Sequence, residues 1–203
     1  VYVATVLLGL GLMLGMLLVV ARIYGGLPPR VFIGAAKDVM LLAFSTSSSA
    51  AVMPLSIKTA EGPLKVKKHI SQFVIPLGAT INMNGTALYQ GVAAIFIAQV
   101  FGVEIGFAGL VLIVLTSVGA SIGSPATPGV GIVILSTILV SIGVPASGIA
   151  LIMGVDRLLD MSRTVINVCG DLDACIVLDR MDQTDTEVTD DPAEPSQAEA
   201  ETT

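Results

Sequence analysis

GASIGSPATPGVG, residues 119–131, separates two apolar runs, Gly106 to Gly119 and Val130 to Val144. Each run is about 13 residues, roughly 20 Å at 1.5 Å per residue. A helix that crosses a bilayer needs about 20 apolar residues, so neither run crosses alone. Two half-length helices joined by a small polar turn instead form a re-entrant hairpin. Exposed backbone at that depth is tolerated only where protein or a water-filled cavity covers it. The same logic applies to FSTSSSAAVMP (44–54), where Ser45 to Ser49 separates Val39 to Phe44 from Ala50 to Leu55.

The rest of the chain fits around these two interruptions. Tyr2 to Val20 carries no charge and ends at Arg22 and the breaker run Gly25 to Pro29, which predicts a full transmembrane helix. Phe73 to Val100 is long enough to span, but Pro76, Gly78 and Asn82-Met83-Asn84-Gly85-Thr86 interrupt it, predicting a broken helix. Ala146 to Leu178 can also span, yet it carries Asp156, Arg157, Asp160, Arg163, Asn167 and Asp171. The expected fold is an all-α membrane protein with two opposed re-entrant hairpins and a broken helix. Its parts are a transmembrane helix over 2–24, hairpin 1 with a basic loop over 28–68, the broken helix over 70–101, hairpin 2 over 105–144 and a polar-faced helix over 146–180.

Composition supports a membrane setting. Of 203 residues, 54% are hydrophobic and 13% charged, about half the charged share of a soluble domain. Mean hydropathy is +0.89. The net charge of −6 is set by the C-terminal end, because eight of the sixteen acids follow Met181 and no Lys or Arg does. Without that stretch, ten basic residues against eight acidic ones leave +2. Residues 181–203, acidic and poor in apolar side chains, are expected to be disordered. The chain opens at Val1 inside an apolar run, without a signal-peptide pattern, which reads as a fragment lacking its N-terminal part. Cys169 and Cys175, six residues apart on a helix, point to different faces and suggest neither a disulfide nor a metal site. The single histidine, His69, lies in the basic loop Lys65 to His69, which removes Ser-His hydrolysis and most zinc chemistry.

Seven Lys and Arg precede Ile70, and none occurs between His69 and Asp156. The positive-inside rule then puts the end of the first helix inside, brings the Ser-rich hairpin in from the inside and the Pro-rich hairpin from the outside, and leaves the C-terminal tail cytoplasmic. Opposed hairpins meeting near the midplane are the geometry of an alternating-access site.

Charges inside a spanning helix are costly and usually functional. Asp156, Asp160, Arg163, Thr164, Asn167 and Asp171 fall on one helical stripe. The structural alternative is an ion-pair ladder, with Asp160 and Arg163 paired three residues apart. The functional reading uses Arg163 as a planar fork for a carboxylate, Asp160 for an ammonium group, and Asp171 with Asn167 as hard oxygens for a small cation. Ser47, Ser48 and Ser49 offer hydroxyls and N–H groups at half-helix ends, which attract carboxylates. A flexible linker is the alternative for the serine run, and a simple kink for Asn82 to Thr86.

FSTSSSAAVMP (44–54), FVIPLGATINMNGTALYQGVAAIFIAQVFG (73–102), GASIGSPATPGVG (119–131) and DRLLDMSRTVINVCGD (156–171) resemble, in order, the signature segments of the dicarboxylate/amino acid:cation symporters, the glutamate transporter family. The resemblance runs from about Tyr2 to Arg180. It implies a homotrimer of multi-pass subunits in the plasma or cell inner membrane, each with a fixed scaffold and a mobile transport domain that moves like an elevator. This chain matches the sixth helix, first hairpin, seventh helix, second hairpin and eighth helix. Substrate contacts are then implied at Ser47, Ser48, Ser49, Thr86, Thr127, Gly131, Asp160, Arg163, Thr164 and Asn167. Sodium contacts are implied at Gly78, Asn82, Asn167 and Asp171, and in a second site at Thr80, Ser121, Ile122 and Ser124. The second hairpin is the implied extracellular gate.

The chain departs from the family pattern in three places. Asn84 stands where many members carry a carboxylate linked to a further sodium site, and an amide binds a cation less strongly. Ser47 and Met161 occupy positions where members often have an additional arginine. Pro125 and Thr127 alter the gate turn. The function implied is coupled uptake of an acidic amino acid or dicarboxylate with sodium, without a cofactor, enzymatic activity or a nucleic-acid partner. Proton coupling and a neutral amino acid substrate stay open within the family. Outside it stand an ion channel with the hairpins as pore loops and a non-transporting fragment; an intramembrane enzyme lacks a nucleophile–base pair.

Overall fold

The computed structural model describes the backbone of residues 1–189 and the side chains of residues 1–182. The described residues are 81% helical and contain no strand. Helix α1 (Tyr2–Ile23) is uncharged until Arg22 in its last turn, and is the one described helix both long and apolar enough to cross a membrane by itself. Gly25 to Pro28 stops it, and Pro29 opens α2 (Pro29–Thr46), where a missing N–H costs nothing.

Two helix pairs follow the small-residue turns. The first is α2 with α3 (Ser49–Glu61), joined by Ser47 and Ser48 alone. Ser47 adopts the left-handed conformation (φ 54°), and Ser48 caps α3 by accepting the Ala51 N–H at 3.3 Å. The second is α6 (Phe107–Ser121) with α7 (Val130–Ser141), whose connecting turn needs positive φ at Gly123 (78°) and Gly129 (82°). Helix α2 is 18 residues long, five more than α3, because it begins at Pro29, well before the apolar run at Val39.

Between the pairs, α4 (Lys68–Ile81) and α5 (Asn84–Val100) are separated by the non-helical Asn82 and Met83. A 3-10 turn over Ala146–Leu151 precedes α8 (Met153–Thr189). The long helix therefore starts seven residues later than the expected 146, since Pro145 and Gly148 favour a tighter turn there. It also runs past Met181, where the acidic tail was expected to begin; residues 190–203 lie outside the described residues.

Helix α8 is the axis of the assembly, packing against α1, α2, α3, α4 and α5. Its inward side buries Asp156, Asp160, Arg163, Thr164, Asn167, Asp171, Asp173 and Asp179. The outer surface is the reverse: Leu8, Leu12, Leu41, Phe73, Phe107, Leu115, Val133 and Val140 are all exposed. A polar interior inside an apolar shell is not the surface of a protein bathed in water.

Candidate functional site

Three elements converge on the middle of α8. The first is the α4–α5 break, where the last four carbonyls at the end of α4 and the first four N–H groups at the start of α5 lack helical partners. Asn167 fills part of that gap from α8: its Oδ1 accepts the Gly85 N–H at 2.8 Å, and its Nδ2 donates to Thr86 Oγ1 at 3.1 Å. One turn further on, Asn82 Nδ2 donates to Asp171 Oδ1 at 2.9 Å, and Asn84 Nδ2 donates to Asn82 Oδ1 at 2.8 Å. Gly78 lies against the Asp171 carboxylate so closely that a Cβ there would clash with Oδ1.

The second and third elements are the two turns. Ser48 Oγ donates to the Ala126 carbonyl at 2.9 Å, joining tip to tip. The Gly129 N–H donates to Asp160 Oδ2 at 3.1 Å, and the Gly123 N–H donates to the Thr80 carbonyl at 2.8 Å.

Arg163 sits where these parts meet. Its Nε and Nη2 donate to Asp160 Oδ1 at 3.0 and 2.7 Å, while Nη1 is buried with no hydrogen-bond partner. The guanidinium carbon lies 4.4 Å from the centre of the Tyr89 ring, a cation–π arrangement. Tyr89 in turn donates its hydroxyl to Asp156 Oδ1 at 2.5 Å. Gly131 presses against the guanidinium from α7, so that a methyl group there would overlap it. The ion-pair ladder and the binding fork thus coexist in one residue. Asp160 uses two of the arginine's donors, and a third points at Gly131 without a partner.

The sequence-predicted substrate residues Ser47, Ser49, Thr86, Thr127, Gly131, Asp160, Arg163, Thr164 and Asn167 line one pocket, with Met83, Ser124, Pro125, Ala126 and Val130. Ser48 is outside this lining, committed to the tip contact and the α3 cap. The enclosed free space is about 20 Å³, room for about one water. Of the predicted cation residues, Gly78, Asn82, Asn84, Asn167 and Asp171 form the connected group at the break. Thr80, Ser121, Ile122 and Ser124 gather at the α6 end, with Ser121 and Ser124 buried and Ile122 exposed. Among the described residues, no cluster of three His, Cys, Asp or Glu side chains forms a metal site.

Tyr89 and Asp156 are additions to the predicted site. Asp156 was read as part of the stripe, and the signal for Tyr89 was its position three residues after Thr86, within one turn of the break. A cavity of about 750 Å³ beside Glu104, at the α5–α6 connection, includes none of the predicted site residues.

A buried arginine fork and buried carboxylates are thus held between breaks in helices, inside an apolar shell. Residues 1–181 match the sodium:dicarboxylate symporter family, and the chain belongs to that family. It is 39% identical over 193 residues to excitatory amino acid transporter 3 of Mus musculus, covering 93% of this chain and 36% of that protein. It is 41% identical over 162 residues to the proton/sodium-glutamate symport protein of Bacillus subtilis (80% and 37%), and 40% identical over 173 residues to excitatory amino acid transporter 1 of Ambystoma tigrinum (84% and 32%). The chain spans about a third of the length of these relatives.

Proposed function

We propose that this chain carries the substrate and cation sites of a secondary symporter that takes up an acidic amino acid together with sodium. The observation behind this reading is the partnerless Nη1 of Arg163, buried in a pocket walled by both turns. An unpaired guanidinium donor in a buried site is costly, and a substrate carboxylate would satisfy it in bidentate fashion. Asp160 would receive the amino group, with the hydroxyls of Ser47, Ser49, Thr86, Thr127 and Thr164, the Asn167 amide and the Gly131 backbone completing the enclosure.

Sodium is the assigned co-substrate. Asp171, Asn82, Asn167 and the Gly78 backbone supply hard oxygens, the donor type a small cation requires. Asn82 now presents its NH2 to Asp171, so a cation there would displace that hydrogen bond. Asn84 brings an amide in place of a charge, which weakens any further cation site. Thr80, Ser121, Ile122 and Ser124 form the second proposed sodium site. The Bacillus relative's name includes protons as well as sodium, which keeps proton coupling as the second reading.

An amino acid does not fit in about 20 Å³, so a wall has to move. The α6–α7 pair is assigned as that gate, entering from outside as a re-entrant hairpin opposite α2–α3. The full protein is read as an elevator-type homotrimer in the cell membrane with a cytoplasmic C-terminal tail. The test is uptake of labelled L-aspartate by the full-length protein in liposomes under a sodium or a proton gradient. Sodium-driven uptake is expected. Proton-driven uptake would replace the ion assignment, and no uptake under either would overturn the acidic substrate.

A further inference from the structure

At the end of the molecule away from the pocket, α4 and α8 enclose a cavity that the transport reading leaves unused. The two helices run antiparallel: Asn82 meets Asp171 at one end of their seam, and Lys67 meets Asp179 and Asp182 at the other. The cavity lies at this second end and holds about 430 Å³, a volume in the range of small-molecule sites. Its polar lining residues, His69 and Asp182, are the farthest from the pocket, and both side chains are partly exposed. One turn closer to the pocket the lining is apolar, from Phe73 and Val74 on α4 and Leu178 on α8. The same gradient continues past the cavity. Phe73, Leu77 and Ile81 form an exposed apolar stripe on one side of α4, about 12 Å long.

The charge left over at this mouth is positive. Lys65, Lys67, Lys68 and His69 fall within residues 65–69. Lys67 is paired with Asp182, and Glu61, the nearest acid on α3, accepts from Ser71 Oγ at 2.9 Å. Lys65 and Lys68 are exposed, and among the described residues no ion pair engages either. Lys65 sits on a fixed turn: its backbone is left-handed (φ 58°), and the adjoining Val66 N–H donates to the Ala60 carbonyl at 2.9 Å. An apolar groove with cations at one end matches a molecule that carries acyl chains under an anionic headgroup. A soluble acidic peptide would leave the stripe bare, and a neutral lipid would leave the lysines unpaired. Anionic headgroups at a cytoplasmic membrane surface strengthen binding with each lysine they meet.

We propose that the α4–α8 groove binds an anionic phospholipid, with its phosphate against Lys65, Lys68 and His69 and an acyl chain along Phe73, Leu77 and Ile81. A lipid held there anchors the α3–α4 loop and the end of α8 to the membrane surface. The inference rests on the proposed membrane orientation for the choice of the cytoplasmic leaflet.

Thermal melting of the full-length protein in detergent, titrated with dioctanoyl phosphatidylglycerol or dioctanoyl phosphatidylcholine, tests it. Phosphatidylglycerol is expected to raise Tm saturably, and phosphatidylcholine to require about tenfold more or beyond. Lys65→Gln with Lys68→Gln should weaken the phosphatidylglycerol response about 30-fold, whereas Phe73→Gln should weaken the response to both lipids. Glycerophosphate, the same charge without chains, should give no shift at these concentrations. An equal response to the two lipids would overturn the proposal, as would an unchanged midpoint in the double lysine variant. So would a lipid response that appears only after residues 190–203 are removed, because the acidic tail would then be the occupant. Labelling of Lys68→Cys by an impermeant thiol reagent from outside sealed cells would overturn the orientation alone, since the titration needs no membrane.

Discussion

The two turn-linked helix pairs look alike in sequence and are held in different ways. The α2–α3 pair packs along α8 through both of its helices, and α3 also packs on α4. Its turn is two residues, one of them capping the next helix. The α6–α7 pair packs on α5, and its tip meets α8 through the Gly129 N–H to Asp160 hydrogen bond and through Gly131 against the Arg163 guanidinium. Its turn is eight residues with two glycines at positive φ and two prolines. A pair held by shared apolar surface moves only with the body it is packed on. The tip of the α6–α7 pair is held by three hydrogen bonds, to Ser48, Thr80 and Asp160, which part at a cost of a few kcal/mol.

Arg163→Cys should have the largest effect, because both tips close over its guanidinium. Acidic-substrate uptake is expected to fall by more than about 100-fold, the scale for truncating one member of a buried charge pair. Asp160, left with the Gly129 N–H and with Arg157 at 3.9 Å, should destabilise the fold by up to about 3 to 5 kcal/mol. Unchanged aspartate affinity in a folded variant would remove Arg163 from the site.

Gly131→Ala comes next, since it places a methyl group against the guanidinium from the α6–α7 side only. It should weaken aspartate binding about tenfold or more, measured by calorimetry, with little change in the packing of α2–α3. Equal loosening of both pairs in hydrogen exchange would break the distinction between them.

Ser48→Ala is milder. It removes one hydrogen bond between the tips, about 0.5 to 1.5 kcal/mol, together with the α3 cap, and should raise the open population of α6–α7 severalfold without touching the pocket lining.

The smallest effect belongs to the far end of α2–α3. Lys67 donates its N–H to Asp179 at 2.8 Å and pairs through Nζ with Asp182 at 2.6 Å. The hydrogen bond from Lys67 holds the Asp182 carboxyl below the usual carboxylate range. A depressed folded-state value means that the pair's contribution is present above the ordinary aspartate range and lost as pH falls below it. Lys67→Ala should leave aspartate uptake unchanged and speed hydrogen exchange in the α3–α4 loop at neutral pH only. A difference from wild type that persists in acid would contradict the role given to this pair.

Much of this arrangement was legible in the sequence. Runs of small polar residues inside apolar segments mark where a helix stops, so the turns at Ser47 and 122–129 and the break at Asn82 could be read directly. The stripe on α8 followed from helical spacing and brings Asp160, Arg163, Thr164 and Asn167 to the pocket, while the full set of predicted lining residues, Thr127 and Gly131 among them, came from the family resemblance. Pairing across elements could not be read. Nothing local shows that Asn167 spans from Gly85 to Thr86, that Ser48 reaches Ala126, or that Tyr89 links Asp156 to Arg163, because each contact joins residues at least 67 positions apart in sequence. The 3-10 turn before α8 was missed because its apolar residues look helical at either pitch.

The bond from Ser48 to Ala126 has a thermodynamic consequence for leakage. It breaks once, whichever pair moves first, so the second movement no longer has to break it. A shared contact of this kind couples the two motions positively; it favours both seated or both displaced, and cannot forbid a continuous path through the protein. Mutual exclusion has to come from elsewhere in the molecule, and the long seam of α2 and α3 against α8 is the feature able to supply it.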